Sequence, residues 1–220
     1  MITVIIPTYN RHDLLQEAIN SVMAQNCKDV EILVGRNGGE KVTVPDDARI
    51  RLVEWEDNKW EHHNELFDMA RGDHVTTLHD DDFFPWWNSL ESRMNHLIDM
   101  GSDVMWTDWT QMLNGKMDGN IYKSGPPDIK RILTEDYINT GTMLFKKSIR
   151  KKLGYWYDSG LRYNIDWDFK IRCVQNCRCS YLSQVTHVYR KHGDQESERA
   201  RNFDMAEREI IRKKYGEKGA

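Results

Sequence analysis

The sequence predicts a single α/β domain built on a mainly parallel sheet with helices on both faces. Through the first half of the chain, short β-branched runs alternate with segments of helical periodicity. Such alternation selects a parallel sheet covered on both sides. A polar cluster follows three of those runs, at residues 8–11, 35–39 and 80–82. In sheets of this kind ligands gather beyond the carboxyl ends of the strands, so the three clusters should meet in one crevice. The 220 residues are 30% charged and 39% hydrophobic, the balance of a globular domain rather than a disordered or membrane-embedded chain.

Each element has its own signal. Residues 2–6 are apolar and β-branched, end at Pro7, and form the first strand. Leu14, Leu15, Ala18, Ile19, Val22 and Met23 then recur at helical spacing. Residues 30–34 are the second strand, and Gly35-Arg36-Asn37-Gly38-Gly39 is the turn behind it. Residues 49–55 are the third strand, residues 60–70 a helix stopped near Gly72, and residues 74–78 the fourth strand. A helix over 85–100 follows, with Pro85 suited to its first turn. The second half is less regular. Residues 103–110, 142–145 and 181–189 are predicted strands, and 164–176 a helix with Ile165, Phe169 and Cys173 turned inward. The tail over 199–215 carries Phe203, Ala206 and Ile210 at helical spacing among charges and is expected to dock as a helix.

Composition narrows the functional classes. The formal charge of -4 and pI of about 6.1 give no overall attraction for nucleic acid or anionic lipid. The basic stretch at 146–152 reads as a solvated helix face. No apolar run approaches the roughly 18 residues that span a bilayer. The apolar N-terminus lacks a basic region and a small-residue cleavage site, so it reads as a strand, and the expected location is the cytoplasm. Cys27, Cys173, Cys177 and Cys179 form no C-x-x-C pair and are expected to be free thiols.

Asp80, Asp81 and Asp82 stand consecutively at a predicted strand end. Adjacent carboxylates repel, and aspartate is a poor strand former, so folding alone does not account for them. A divalent cation relieves that repulsion, and oxygen ligands favour Mg²⁺ or Mn²⁺. Capping of the next helix explains one aspartate but not three. His79 is expected to pack at the strand end, and His62 and His63 to lie on a helix surface.

The opening Val4-Ile5-Ile6-Pro7-Thr8-Tyr9-Asn10-Arg11 resembles the first strand and donor loop of glycosyltransferase family 2. Leu78-His79-Asp80-Asp81-Asp82 is similar to its D-x-D region, and Ile165-Asp166-Trp167-Asp168-Phe169 to its E-D-W-D-L segment. Thr142-Met143-Leu144-Phe145-Lys146-Lys147 with Leu153-Gly154-Tyr155-Trp156, and Tyr189-Arg190-Lys191-His192, match two further stretches in the right order. No single motif is specific, whereas five in sequence over residues 1–197 are. The resemblance implies a GT-A (Rossmann-like) fold and an inverting transfer of sugar from a nucleoside diphosphate sugar to an acceptor hydroxyl. It divides the domain into a donor half over 1–110, an acceptor half over 111–198 and a charged C-terminal helix over 199–220.

Residue by residue, it implies that Pro7, Thr8, Tyr9, Arg11 and Asn64 contact the donor. Asp80 and Asp82 form the D-x-D with Asp82 on the metal, either Asp80 or Asp81 faces the ribose, and His192 lies near metal and diphosphate. Asp166 is the base that takes the acceptor proton, with helix capping as its structural alternative. A UDP-sugar is the favoured donor and Mn²⁺ or Mg²⁺ the cofactor. Two departures stand out. Arg36-Asn37 replaces the aspartates expected after the second strand, although Asn37 can still bond a base edge. Ile165 replaces the first acid of the E-D pair. Trp109 and Trp156 precede loops in the second half and, with Trp167, are the acceptor candidates, each weighed against a core role. A glycan is the expected acceptor. A modified nucleic-acid base, or a catalytically weak nucleotide-sugar binder, is the alternative. A nucleotidyltransferase would need a Gly- and basic-rich phosphate loop where Pro7-Thr8-Tyr9-Asn10 stands.

Overall fold

The computed structural model describes residues 1–193 and 201–216, with the side chains of 201–204 excepted. The elements are β1 (Ile2–Thr8), α1 (His12–Met23), β2 (Val30–Asn37), β3 (Ile50–Trp55), α2 (His62–Met69), β4 (His74–Thr77), α3 (Ser89–Asp99), β5 (Val104–Leu113) and β6 (Lys116–Tyr122). They continue with α4 (Ile129–Ile132), β7 (Leu144–Lys146), α5 (Arg150–Leu153), α6 (Ile165–Asn176), β8 (Cys179–Lys191) and α7 (Arg201–Gly216). The sheet order is β3-β2-β1-β4-β7-β5-β6. β1 to β4 are parallel throughout, while β7 runs antiparallel to both β4 and β5. β8 runs parallel to β5 along its whole length, from Val104↔Cys179 to Leu113↔Lys191. Because β7 and β6 occupy the other edge of β5, β8 lies alone on its side.

Both faces are covered. Leu15, Ala18, Ile19 and Val22 of α1 and Leu90 and Leu97 of α3 pack on one face with Val4, Ile6 and Val34. Leu66 and Phe67 of α2, Trp167, Phe169 and Cys173 of α6, and Ile211 and Tyr215 of α7 pack on the other with Ile5, Leu33 and Val75. β1 and β2 are almost wholly buried, so their apolar runs are continuous rather than alternating, while β3 at the sheet edge is half-buried.

Four expectations need correction. β2 continues through Gly35, Arg36 and Asn37 instead of turning at Gly35. A side chain is excluded at Gly35, where a Cβ would lie 2.5 Å from Leu66 Cδ1. α3 begins at Ser89, not Pro85. The reason is that the loop after α1 claims the backbone ahead of it: Gln25 Nε2 donates to Trp86 O (2.8 Å) and Asn26 N to Trp87 O (2.8 Å). β6 was not anticipated, although Asn114 and Gly115 both take positive φ and form the two-residue hairpin turn. Finally, α7 docks through Ile211 and Tyr215 rather than Ala206 and Ile210, which are exposed. Its inward face also carries Glu207 and Lys214, so apolar periodicity alone misreads it. The expected start of that helix at Arg199, the side chain of Phe203 and the last residues of the 199–220 segment lie outside the described residues.

Candidate active site

β1, β2 and β4 end side by side, and the loops beyond them line one cavity of about 1330 Å³. Asn10 makes the turn from β1 into α1 possible by taking φ of 54°, the left-handed region that asparagine tolerates. Its Oδ1 accepts from Glu40 N (2.7 Å), which draws the loop after β2 over the donor side. Pro7, Thr8, Tyr9, Arg11, Asn37, Asp80, Asp81, Asp82, Asp166 and His192 all line the cavity. Most of the sequence candidates therefore meet in one place.

The three aspartates divide their contacts. Asp80 turns toward the donor loop, where Arg11 donates to Oδ1 (2.9 Å) and the Tyr9 backbone N–H lies 3.4 Å from Oδ2. Burial pushes its carboxyl up, and Arg11 opposes this. Asp81 Oδ2 receives Arg11 (3.0 Å) and lies 3.0 Å from His192 Nε2. Asp82 is buried, with Arg190 N donating to Oδ1 (2.8 Å) and His187 Nε2 at 3.0 Å from Oδ2. Burial, which disfavours charge, keeps the His187 ring neutral. Burial and then the Asp81 carboxylate push Asp82 up to about 8.

One ligand atom each from His79, Asp81 and Asp82 lies within 4.8 Å of the others. Of the sequence's metal candidates only Asp82 belongs to this group. Asp80 is occupied with the donor loop, and His192 abuts the group through Asp81. His79, expected to pack, is exposed in the cavity instead. Two carboxylates and an imidazole form a donor set that suits Mn²⁺ better than Mg²⁺. The elevated Asp82 is what two crowded, buried carboxylates show when no cation offsets their charge.

In the same cavity, Asp166 sits in the first turn of α6. Thr140 Oγ1 donates to Oδ2 (2.8 Å), and the Trp167 N–H lies 2.9 Å from Oδ1. Lys170, one turn on, is buried with Nζ at 2.9 Å from Asp166 Oδ2, 2.8 and 2.9 Å from the two Asp136 oxygens, and 2.8 Å from Ile138 O. Burial opposes ionisation of Asp166, but Lys170 and the hydrogen bonds outweigh it and hold the carboxyl below its ordinary range. Asp136 is pushed up by burial to about 6 despite the same lysine. Sequence reading missed the Asp136–Lys170 pair, because a lysine amid helix charges reads as solvated and Asp136 sits in irregular chain.

Other candidates fall elsewhere. Asn64 does not line the cavity. Its amide clasps the Tyr157 backbone, accepting from N (2.8 Å) and donating to O (3.1 Å), and so holds Tyr157, which does line it. Trp156 and Trp167 are core residues, their indole N–H groups satisfied by Asp68 Oδ1 (2.7 Å) and Ile132 O (2.8 Å). Trp109 alone of the three reaches the cavity, stacked on Tyr122 at 4.2 Å between ring centroids. Asn37 Oδ1 is buried with no partner among the described residues, while Arg36 turns away to Glu54 (2.7 Å). In the basic stretch, Lys147 caps Asp68 O and Ala70 O, and Lys152 pairs with Asp103 (2.6 Å). The four cysteines are free thiols.

Residues 3–153 match the model of glycosyl transferase family 2. The chain belongs to that family. An uncharacterized glycosyltransferase of Methanocaldococcus jannaschii is 26% identical over 195 residues, covering 80% of this chain and 65% of that one. A Campylobacter jejuni protein named GalNAc(5)-diNAcBac-PP-undecaprenol beta-1,3-glucosyltransferase is 35% identical over 91 residues, covering 37% of this chain and 29% of that one. Among solved structures, Staphylococcus aureus TarS 1–349 in complex with UDP-GlcNAc superposes with a TM-score of 0.71 at 19% identity, over 88% of this chain and 59% of that one. A Pyrobaculum calidifontis mannosyltransferase in complex with GDP-Man and Mn²⁺ gives 0.66 at 15% identity, over 100% of this chain and 64% of that one. The fold is the GT-A fold of these solved glycosyltransferases. The chain spans less than two thirds of the length of each of these four proteins. Among the described residues no helix is long and apolar enough to cross a membrane.

Proposed function

We propose that this chain transfers one sugar, with inversion, from a nucleoside diphosphate sugar to a saccharide hydroxyl, with a divalent cation held by His79, Asp81 and Asp82. One observation carries the reading. A single cavity is lined by the loop after β1, by the acid cluster and by the helix-borne Asp166. A direct displacement needs a base beside the leaving-group site but on a separate element, and Asp166 of α6 meets that need. A bound cation would offset the negative charge that grows on the departing diphosphate.

The chain's own groups supply the rest. The acceptor oxygen attacks the anomeric carbon while Asp166 takes its proton, and the bond to the diphosphate breaks with its electron pair on the phosphate oxygen. Arg11 and the Tyr9 N–H hold Asp80 toward the donor loop, where its carboxylate can meet the ribose hydroxyls. The unpartnered Asn37 Oδ1 can accept from a base N–H such as that of uracil, so an aspartate is not required there. Since Arg36 is engaged by Glu54, its charge does not oppose the donor. UDP-sugars therefore remain the favoured donors. Trp109 and Tyr122 offer a stacked aromatic platform for sugar C–H faces, which favours a saccharide acceptor, as does the name of the Campylobacter relative. The engagement of Lys147 and Lys152 by protein groups weighs against nucleic acid.

Thermal unfolding with Mn²⁺ and each of UDP, GDP, dTDP, ADP and CMP tests this. A ligand at about a hundred times its Kd stabilises by about 2.7 kcal/mol. The expected result is a shift with UDP that EDTA and Asp82→Ala abolish. No shift with any nucleotide in folded protein would remove the donor assignment.

The cation's affinity should also rise with pH. Below about 8 the free Asp82 carries a proton, which the cation must displace. Binding then weakens by roughly tenfold per pH unit as pH falls. Mn²⁺ titrations near pH 8 and about two units lower check this, and equal affinities would contradict the arrangement.

A further inference from the structure

The chain's last described helix does more than cover the core. Its Glu207 carboxylate accepts from three consecutive backbone N–H groups in the loop that opens α6: Arg162 N to Oε1 (2.8 Å), Tyr163 N to Oε2 (2.8 Å) and Asn164 N to Oε2 (2.9 Å). Arg162, Tyr163 and Ile165 line the acceptor end of the cavity, and Asp166 follows directly. The side chain of the N-cap residue, Asn164, makes no capping hydrogen bond. The free N–H groups ahead of a helix attract negative charge, and here a residue some forty positions away provides it. One turn into α6, Asp168 is held from the same helix by Lys214 Nζ (2.7 Å) and Tyr215 Oη (2.6 Å). α7 thus grips the start of α6 at two points, on either side of Asp166.

We propose that Glu207 is a positioning residue for the transfer: it gathers the 162–164 backbone into the acceptor wall and so sets Asp166 against the acceptor hydroxyl. The proposal rests on the reading of Asp166 as the base. Glu207 itself does not line the cavity, so its loss should show in turnover and not in donor uptake.

Glu207→Gln keeps the size of the side chain. It removes the charge and places an N–H group where one of the two acceptor oxygens stood. The probe is UDP release from UDP-GlcNAc with Mn²⁺, water serving as acceptor, beside amide hydrogen exchange of the whole chain. The expected result is a fall in kcat of roughly tenfold to a hundredfold, the range for misplacement by about 1 Å. KM for UDP-GlcNAc should be unchanged, and exchange should quicken at Arg162, Tyr163 and Asn164 but not in β1 or β2. A role in stability alone would instead lower melting temperature and speed exchange throughout, without a split between kcat and KM. That pattern, or wild-type kcat in Glu207→Gln, overturns the proposal. Should Asp166→Asn release UDP as fast as the wild type, the reading of the base fails first. The exchange measurement then decides alone, and unchanged exchange at 162–164 overturns the gathering role of Glu207.

Discussion

Asp166→Asn is expected to lower turnover by roughly a hundredfold to ten-thousandfold, the range for losing a positioned general base, while leaving uptake of UDP and Mn²⁺ intact. Asparagine occupies the same volume; its single oxygen can still accept from the Trp167 N–H, while its amide N–H can donate to the Thr140 hydroxyl oxygen in place of the bond the carboxylate accepted. What it loses is the charge and the capacity to take a proton. Lys170 keeps Asp136 as a partner, so the buried ammonium is not stranded. The wild-type base is already ionised at neutral pH, because its folded value lies below the ordinary carboxylate range. For a carboxyl lowered in this way, the stability it contributes is present above its unfolded value and is lost as pH falls through the folded one. At pH 7 the variant should therefore melt somewhat lower, an effect softened by solvent, since the Asp166 side chain is 36% exposed. UDP release at saturating donor, measured beside melting temperature, separates the two effects. Wild-type turnover in the variant would show that Asp166 only caps its helix.

Gly141→Ala should damage both ends of the site through one methyl group. A Cβ there would lie 2.2 Å from His187 Cε1 and 2.6 Å from Nε2, well inside any contact distance. The ring has nowhere to go. It is fully buried, packs edge-on to Phe84 at 6.5 Å and bonds Asp82. The glycine cannot retreat either, because Arg93, itself buried, holds its carbonyl at 2.8 Å. Overpacking of this kind costs about 1–3 kcal/mol. The displaced imidazole would also release Asp82 Oδ2. The neighbouring Thr140, which orients Asp166, would shift with the same turn. Lower melting temperature together with a weakened response to Mn²⁺ plus UDP is the expected outcome. A variant that melts and binds like the wild type would show that His187 does not set the Asp82 geometry.

Much of this was legible in the residues themselves. β1 and β2 begin as short apolar runs, and the polar residues that follow those of β1, β2 and β4 do converge as strand–helix alternation requires. The second half was harder for identifiable reasons. β6 is a polar edge strand, and its one clear signal, Asn114-Gly115, stood beside a run without alternating apolar residues. Trp156 and Trp167 cannot be told from surface aromatics by sequence, because burial depends on distant segments, α2 and β7 against Trp156 and α4 against Trp167. His79 reaches the acid cluster only because the chain turns immediately after β4. Asp136 pairs with Lys170, and Glu207 binds the backbone N–H groups of 162–164, across 34 and 43 to 45 positions respectively. No local pattern joins them.

The parallel pairing of β8 with β5 also bears on how the molecule assembles. Its partners are separated by about 75 positions, against 28 for β1 with β2. Bringing distant segments together costs chain entropy before any pairing repays it. The nucleotide end of the crevice therefore has the means to organise early, from neighbouring segments. Arg190 and His187, which steady Asp82, arrive only with β8. A nascent chain halted before β8 would hold the acid triplet without its supports, so Asp82 is steadied only once residues 187–190 have been made and paired.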